Sequence, residues 1–245
     1  MPFFHSWSSR YPKPLMAFLM AGTAHLLYRL LFEEVNSFLS GIGVSPHWSS
    51  PVSGLLLLPL FYVLYCSILG DDWKRPGRFL LPAAGRGSEG RSAGPVSGSL
   101  GRARALMMGA LVGLACSLWV ILISRFWPDS SNPGLPGLSE ILAITLVTPT
   151  VEEAYYRLLL QGYLTLSLAH SGAGPRSQLL ALLFSAACFL LSHDYFIAPV
   201  LLIPALAFGL VFIRWNALAA ILSHAVYNAA LIGGAYAISI HGSPF

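Results

Sequence analysis

Residues 138–169, LSEILAITLVTPTVEEAYYRLLLQGYLTLSLA, decide the fold class of this chain. The stretch is long enough to cross a hydrocarbon core of about 30 Å, yet Glu152, Glu153 and Arg157 lie near its middle. A carboxylate at bilayer depth is costly unless it is paired or faces a water-filled cavity, so these charges imply partners inside the protein. On a helix Glu153 and Arg157 share a face, whereas Glu152 is turned away by about 100°. Arg157 can therefore neutralise Glu153 in place and leave Glu152 to face a cavity, where a carboxylate suits general-base activation of water. A purely structural ion network would account for Glu153 and Arg157 but not for Glu152.

The rest of the chain is of the same kind. Of its 245 residues 56% are hydrophobic and only 10% charged, and the mean hydropathy of +0.68 lies far above that of soluble domains. The expectation is an all-α fold, a polytopic transmembrane helical bundle of about seven spans. The spans fall at residues 15–32, 51–69, 105–124, 138–163, 178–194, 197–213 and 215–239. A membrane β-barrel would instead show alternating segments of about ten residues.

Charge sets the topology. Arg10, Lys13, Lys74, Arg75, Arg78, Arg86, Arg91, Arg102, Arg104, Arg176 and Arg214 fall on one side of those spans. Glu33, Glu34, Asp129, Glu140 and Asp194 fall on the other, with Arg125 as its one strong base, so the N-terminus is expected in the cytoplasm. Residues 82–104, rich in Gly, Ser, Ala and Arg, read as the greater part of a flexible basic cytoplasmic loop of about residues 70–104. The net charge of +4 comes with no aromatic-interleaved basic patch, so membrane lipids rather than nucleic acid are the expected partners. Cys66, Cys116 and Cys188 each sit in an apolar run, without CxxC or zinc spacing, and read as small buried hydrophobes. Arg29 and Glu33, one turn apart near the outer end of the first span, read as an interfacial pair with no catalytic meaning.

Two histidines supply further candidates. His193 ends an apolar run with Phe189 one turn before it, and Asp194 beside it also permits a plain interfacial reading. His224 lies inside the last apolar run with Asn228 at i+4, so two hydrogen-bonding side chains project together at bilayer depth. A carboxylate, a histidine and a His/Asn donor pair make up a hydrolytic site in which water attacks directly and His224 and Asn228 can stabilise an oxyanion. No GxSxG elbow offers a serine nucleophile, and Cys188 is a poor one in its apolar setting. Glu plus two His is also a zinc ligand set, so a zinc-dependent membrane protease stays open although HExxH is absent. A non-proteolytic immunity or scaffold protein and a proton-coupled transporter are the rivals outside hydrolysis.

The order Glu-Glu-x-x-x-Arg (Glu152, Glu153, Arg157), Phe-x-x-x-His (Phe189, His193) and His-x-x-x-Asn (His224, Asn228) resembles the CPBP family of intramembrane glutamic endopeptidases. That family includes the CAAX prenyl endopeptidases and bacterial proteins linked to bacteriocin processing and self-immunity. The resemblance implies a catalytic core in the C-terminal four helices, residues 138–245, preceded by variable membrane helices in residues 1–137. It implies that Glu152 activates water with His193, that His224 and Asn228 form the oxyanion hole, and that Glu153, Arg157 and Phe189 support the site. No cofactor is implied, and the substrate would be a membrane-anchored or lipidated protein cut near its C-terminus. The family's Phe-x-x-Gly element is only approximated here, by Phe208 and Gly209. The plasma membrane of a prokaryote is the expected location.

Overall fold

The computed structural model describes residues 14–69, 99–124, 136–173, 176–193 and 198–241, and among them it contains helices and no strand. The helices are α1 (Pro14–Gly41), α2 (Pro46–Leu69), α3 (Ser99–Ser124), α4 (residues 138–173), α5 (Arg176–Leu191), α6 (Ala198–Arg214) and α7 (Ala217–His241). Each expected span coincides with one of them. Among the described residues four helices are long and apolar enough to cross a membrane, at Pro14–Gly41, Pro46–Ile68, Gly101–Ile123 and Ala217–Ala237, with shorter apolar helices at Arg176–Leu191 and Val200–Arg214. This is a multi-pass integral membrane protein. Its polarity is inverted accordingly: Leu26, Leu30 and Leu118 point outward, while Glu153 and Arg157 are fully buried.

Helix ends depart from the apolar runs in both directions: α5 stops at Leu191, short of the expected 194, whereas α1 and α2 are longer than their runs. α1 continues past Glu33 and Glu34 to Gly41, and α2 begins at Pro46, before the apolar run opens. Charge ends a run of hydrocarbon contact, but a helix continues until its backbone is broken. Here the break is Gly43, whose φ of 93° lies in the left-handed region that a Cβ disfavours. The expected basic loop is shortened as well. Residues 99–104 are the first turns of α3, with Arg102 and Arg104 exposed on the helix, and residues 70–98 lie outside the described residues.

Two close approaches set the bundle. Gly109 and Gly113 of α3, a small-xxx-small pair, lie against the α7 backbone, where a Cβ would come within 2.4 Å of the Ala219 oxygen and 2.2 Å of the Ser223 oxygen. α3 and α7 therefore run parallel with their backbones in contact, and this fixes the helix that carries His224 and Asn228. Gly54 of α2 likewise admits Val151 of α4, because a Cβ there would fall 2.2 Å from its Cγ1. Beside that contact, the Tyr28 ring of α1 stacks on Tyr155 at 3.7 Å between centroids.

α4 is irregular throughout. π-helical turns occupy Ala143–Val147, Ala154–Gln161 and Ala169–Ala173, so the short α segment Thr148–Glu153, which bears both acids, has a widened turn on each side. The close approach of α3 to α7 gives a direct test. Gly113→Ala should destabilise the protein by about 1–3 kcal/mol through overpacking. Gly234→Ala, whose new Cβ would meet Ile121 at an ordinary 3.7 Å, should be close to neutral. Thermal unfolding of the two purified variants in the same detergent checks the contrast.

Candidate active site

The site is organised around a carboxylate that has no access to solvent. Glu153 and Arg157 are both fully buried, and Arg157 Nε donates to Glu153 Oε2 at 3.0 Å. The guanidinium is then satisfied across the bundle: Nη1 donates to Ser185 Oγ of α5 and Nη2 to the Ala205 carbonyl of α6, each at 3.0 Å. The second carboxylate oxygen of Glu153 accepts from His224 Nδ1 of α7 at 3.0 Å. Four helices thus meet on one ion pair.

Small residues and aromatic faces hold this arrangement. Gly209 lets α6 approach both α5 and α4, since a Cβ there would lie 2.3 Å from Leu182 Cδ1 and 3.1 Å from Gln161 Oε1, and its carbonyl accepts from Gln161 Nε2 at 3.3 Å. Phe208 beside it stacks on the His224 ring at 4.9 Å. The Phe208–Gly209 pair that only approximates a family element in sequence therefore packs directly on the site.

Glu152 points the other way. Its side chain is a quarter exposed and lines a cavity of about 760 Å³, which it shares with His193, His224 and Asn228. His224 Nε2 lies 3.7 Å from Glu152 Oε2, so the imidazole spans the gap between the two acids. His193 Nδ1 donates to the Phe189 carbonyl at 2.7 Å, because a carbonyl can only accept, which leaves Nε2 as the nitrogen on the far side of the ring. Asn228 Nδ2 donates to the Ile144 carbonyl at 2.8 Å, an oxygen within the first π turn of α4. Phe189 packs on His193 at 4.3 Å and lies under the Arg157 guanidinium at 5.8 Å.

All seven residues singled out in the sequence therefore come together, and two readings change. His224 bridges Glu152 and Glu153 rather than acting only as a donor beside Asn228. Arg29 and Glu33 do pair, at 3.1 Å, but they also line the cavity, and Arg29 Nη1 donates to the Ser192 carbonyl at 2.7 Å. Tyr28, Asn36, Tyr156 and Ser192 also line the cavity and were not anticipated. Part of that signal was present in sequence, since His25, Arg29, Glu33 and Asn36 form a polar stripe along an otherwise apolar helix. Among the described residues no group of three His, Cys, Asp or Glu side chains converges as a metal ligand set.

Residues 134–230 match the family described as type II CAAX prenyl endopeptidase Rce1-like. The chain carries an Rce1-like CAAX prenyl endopeptidase domain. The family is one of hydrolases whose substrates are prenylated or membrane proteins. The matched residues include every member of the Glu152, Glu153, Arg157, Phe189, His193, His224 and Asn228 set, whereas α1, α2 and α3 lie outside them. No curated protein and no solved structure matches the chain.

Within the Rce1-like domain, removal of one ionic partner exposes the role of the other. Arg157→Met leaves the buried Glu153 carboxylate with His224 alone and should cost about 3–5 kcal/mol. Equilibrium unfolding of the variant in mild detergent measures the loss, and a change under 1 kcal/mol would show that the pair does not hold the helices together.

Proposed function

We propose that this protein is an intramembrane endopeptidase that hydrolyses a peptide bond near the C-terminus of a membrane-held protein with a water activated by Glu152. The observation that carries the reading is the convergence of Glu152, His193, His224 and Asn228 on one cavity, with Glu153 and Arg157 buried behind it. Water bound between Glu152 and His193 Nε2 loses a proton to Glu152 as its oxygen attacks the scissile carbonyl carbon. The resulting oxyanion accepts from His224 Nε2–H and from the second hydrogen of Asn228 Nδ2. His224 donates through both nitrogens in this step, and Glu153, at 3.0 Å from Nδ1, compensates its charge. Protonated Glu152 then gives its proton to the departing amine as the C–N bond breaks, leaving a carboxyl terminus and a free amine.

The domain division follows the same line: residues 138–245 form the catalytic core, and residues 1–137 are its N-terminal membrane helices. All seven helices cross the plasma membrane of a prokaryotic cell in this reading. Contacts order them end to end. α1 runs antiparallel to α4, as Tyr28 meets Tyr155 and Met20 meets Tyr163, and parallel to α5, as Phe18 meets Phe184 and Arg29 meets Ser192. Arg102, Arg104, Arg176 and Arg214 then share one end of the bundle, which the positive-inside rule assigns to the cytoplasm. The cavity extends from Glu152 toward Asn36, Pro46 and His47 at the opposite end, beside the turn between α1 and α2. Substrate access from the outer face favours a membrane-anchored polypeptide displayed there over a prenyl protein of the cytoplasmic leaflet.

Two experiments test this. Glu152→Gln nearly preserves shape, so it should lower cleavage by about 100- to 10,000-fold while yield and helicity stay unchanged. Comparison of membrane-protein C-termini in cells with and without the substitution reads out activity and substrate together, and identical termini would sink the proteolytic assignment. For the topology, Cys66, Cys116 and Cys188 are replaced by Ser and one new cysteine is introduced. His47→Cys should react with a membrane-impermeant maleimide added to intact cells, and Arg214→Cys only after lysis. The reverse pattern would turn the cavity mouth to the cytoplasm.

A further inference from the structure

Ser192, next to His193, is braced at the cavity through both its carbonyl and its side chain. α5 ends at Leu191, so the carbonyls that follow lie beyond its hydrogen-bond ladder and need partners from elsewhere. The Ser192 carbonyl receives Arg29 Nη1 at 2.7 Å, and Arg29 is itself steadied by Glu33 at 3.1 Å. Ser192 Oγ accepts from Tyr156 at 2.6 Å, donates to the Cys188 carbonyl at 2.9 Å and lies 3.4 Å from His25 Nε2. The other nitrogen of His25 is 3.3 Å from the Tyr155 hydroxyl. His25, Arg29 and Glu33 follow one another at intervals of four residues, so a single stripe of α1 brackets the turn that carries His193.

We infer that Arg29 is a positioning residue for His193, which makes α1, a helix outside the matched domain, an integral part of the active site. The inference rests on the role of His193 proposed above. The Arg29 bond is made to the carbonyl of the peptide group that links Ser192 to His193. It is charge-assisted and sits in a partly buried setting. Without it, the turn after α5 has one fewer restraint, and the His193 ring can drift from the position where its Nε2 meets the water. A glutamine at position 29 is shorter and brings no charge to that carbonyl; a lysine would keep one charged donor in reach.

The test is a kinetic series on the purified full chain with a substrate identified from the C-terminal comparison. Arg29→Gln should lower kcat by about 10- to 100-fold with KM within about twofold of the parent, as expected for misplacement of a catalytic group rather than loss of a substrate contact. Arg29→Lys should recover most of the loss, and Glu33→Gln, on an exposed partner, should lower kcat by only about two- to fivefold. In a His193→Ala background Arg29→Gln should cost no more than about twofold, since groups acting through one another are non-additive. Full additivity in that background, or a rise in KM with kcat intact, would overturn the inference. An inactive His193→Ala beside an unaffected Arg29→Gln overturns it alone. A fully active His193→Ala removes the role of His193 and the inference with it.

Discussion

A carboxylate sealed from water must be answered by charge and hydrogen bonds, and the answer to Glu153 organises this bundle. Arg157 supplies the charge from one turn along α4, but a guanidinium has more donors than one carboxylate can take. Its remaining groups reach Ser185 on α5 and the Ala205 carbonyl on α6, while His224 on α7 takes the other oxygen of Glu153. The register of four helices follows from one local pair. Such a pair gives little net stability, because desolvation offsets most of the attraction, but any other register would strand a charge in the interior. Its value lies in the uniqueness of the arrangement, and the same uniqueness places Glu152 one residue away at the cavity wall.

The irregularity of α4 serves the same end. A regular helix in a membrane keeps every carbonyl in its own ladder, which leaves few acceptors for side chains of neighbouring helices. The π turns on either side of Thr148–Glu153 loosen that ladder, and two oxygens within them are used: Ile144 O by Asn228 and Tyr156 O by Ser185 Oγ at 2.8 Å. Polar side chains of α5 and α7 thereby gain partners inside the bundle. Asn228 in particular is fixed by a bond that a regular α4 would compete for.

The local part of this was legible in sequence. Glu153 and Arg157 are read correctly from a spacing of four because that relation holds within one helix, and the divergence of Glu152 follows from the same periodicity. The number and order of helices followed from apolar runs and the distribution of Lys and Arg. What depended on packing between helices was not legible. The bond from His224 to Glu153 spans 71 residues, and the bond from Arg29 to Ser192 spans 163. Neither separation has a periodicity to betray it. The boundaries of α1 and α2 were missed for another reason: composition reports where hydrocarbon contact ends, and the helix ends only where Gly43 permits the chain to reverse.

The chain's two halves then divide the work in a way that neither fold class nor motif implies. The groups proposed for the chemistry all lie between Glu152 and Asn228, inside the Rce1-like match, and their mutual bonds close within α4 to α7. The far end of the cavity is formed largely by α1 and α2, through Phe32, Asn36, Pro46, His47 and Pro51. Between the two zones stands an aromatic layer in which Tyr28 stacks on Tyr155, and Tyr156 meets Phe189 edge to face at 5.2 Å between centroids. Phe189 joins that layer to the ion pair, since it lies under the Arg157 guanidinium at 5.8 Å. Arg29 and His25 reach across, because their contacts with Ser192 cross from the N-terminal helices to the turn that bears His193. On the function proposed above, an N-terminal region joined to the core by such contacts can vary in what it admits at the mouth, but it cannot be dispensed with.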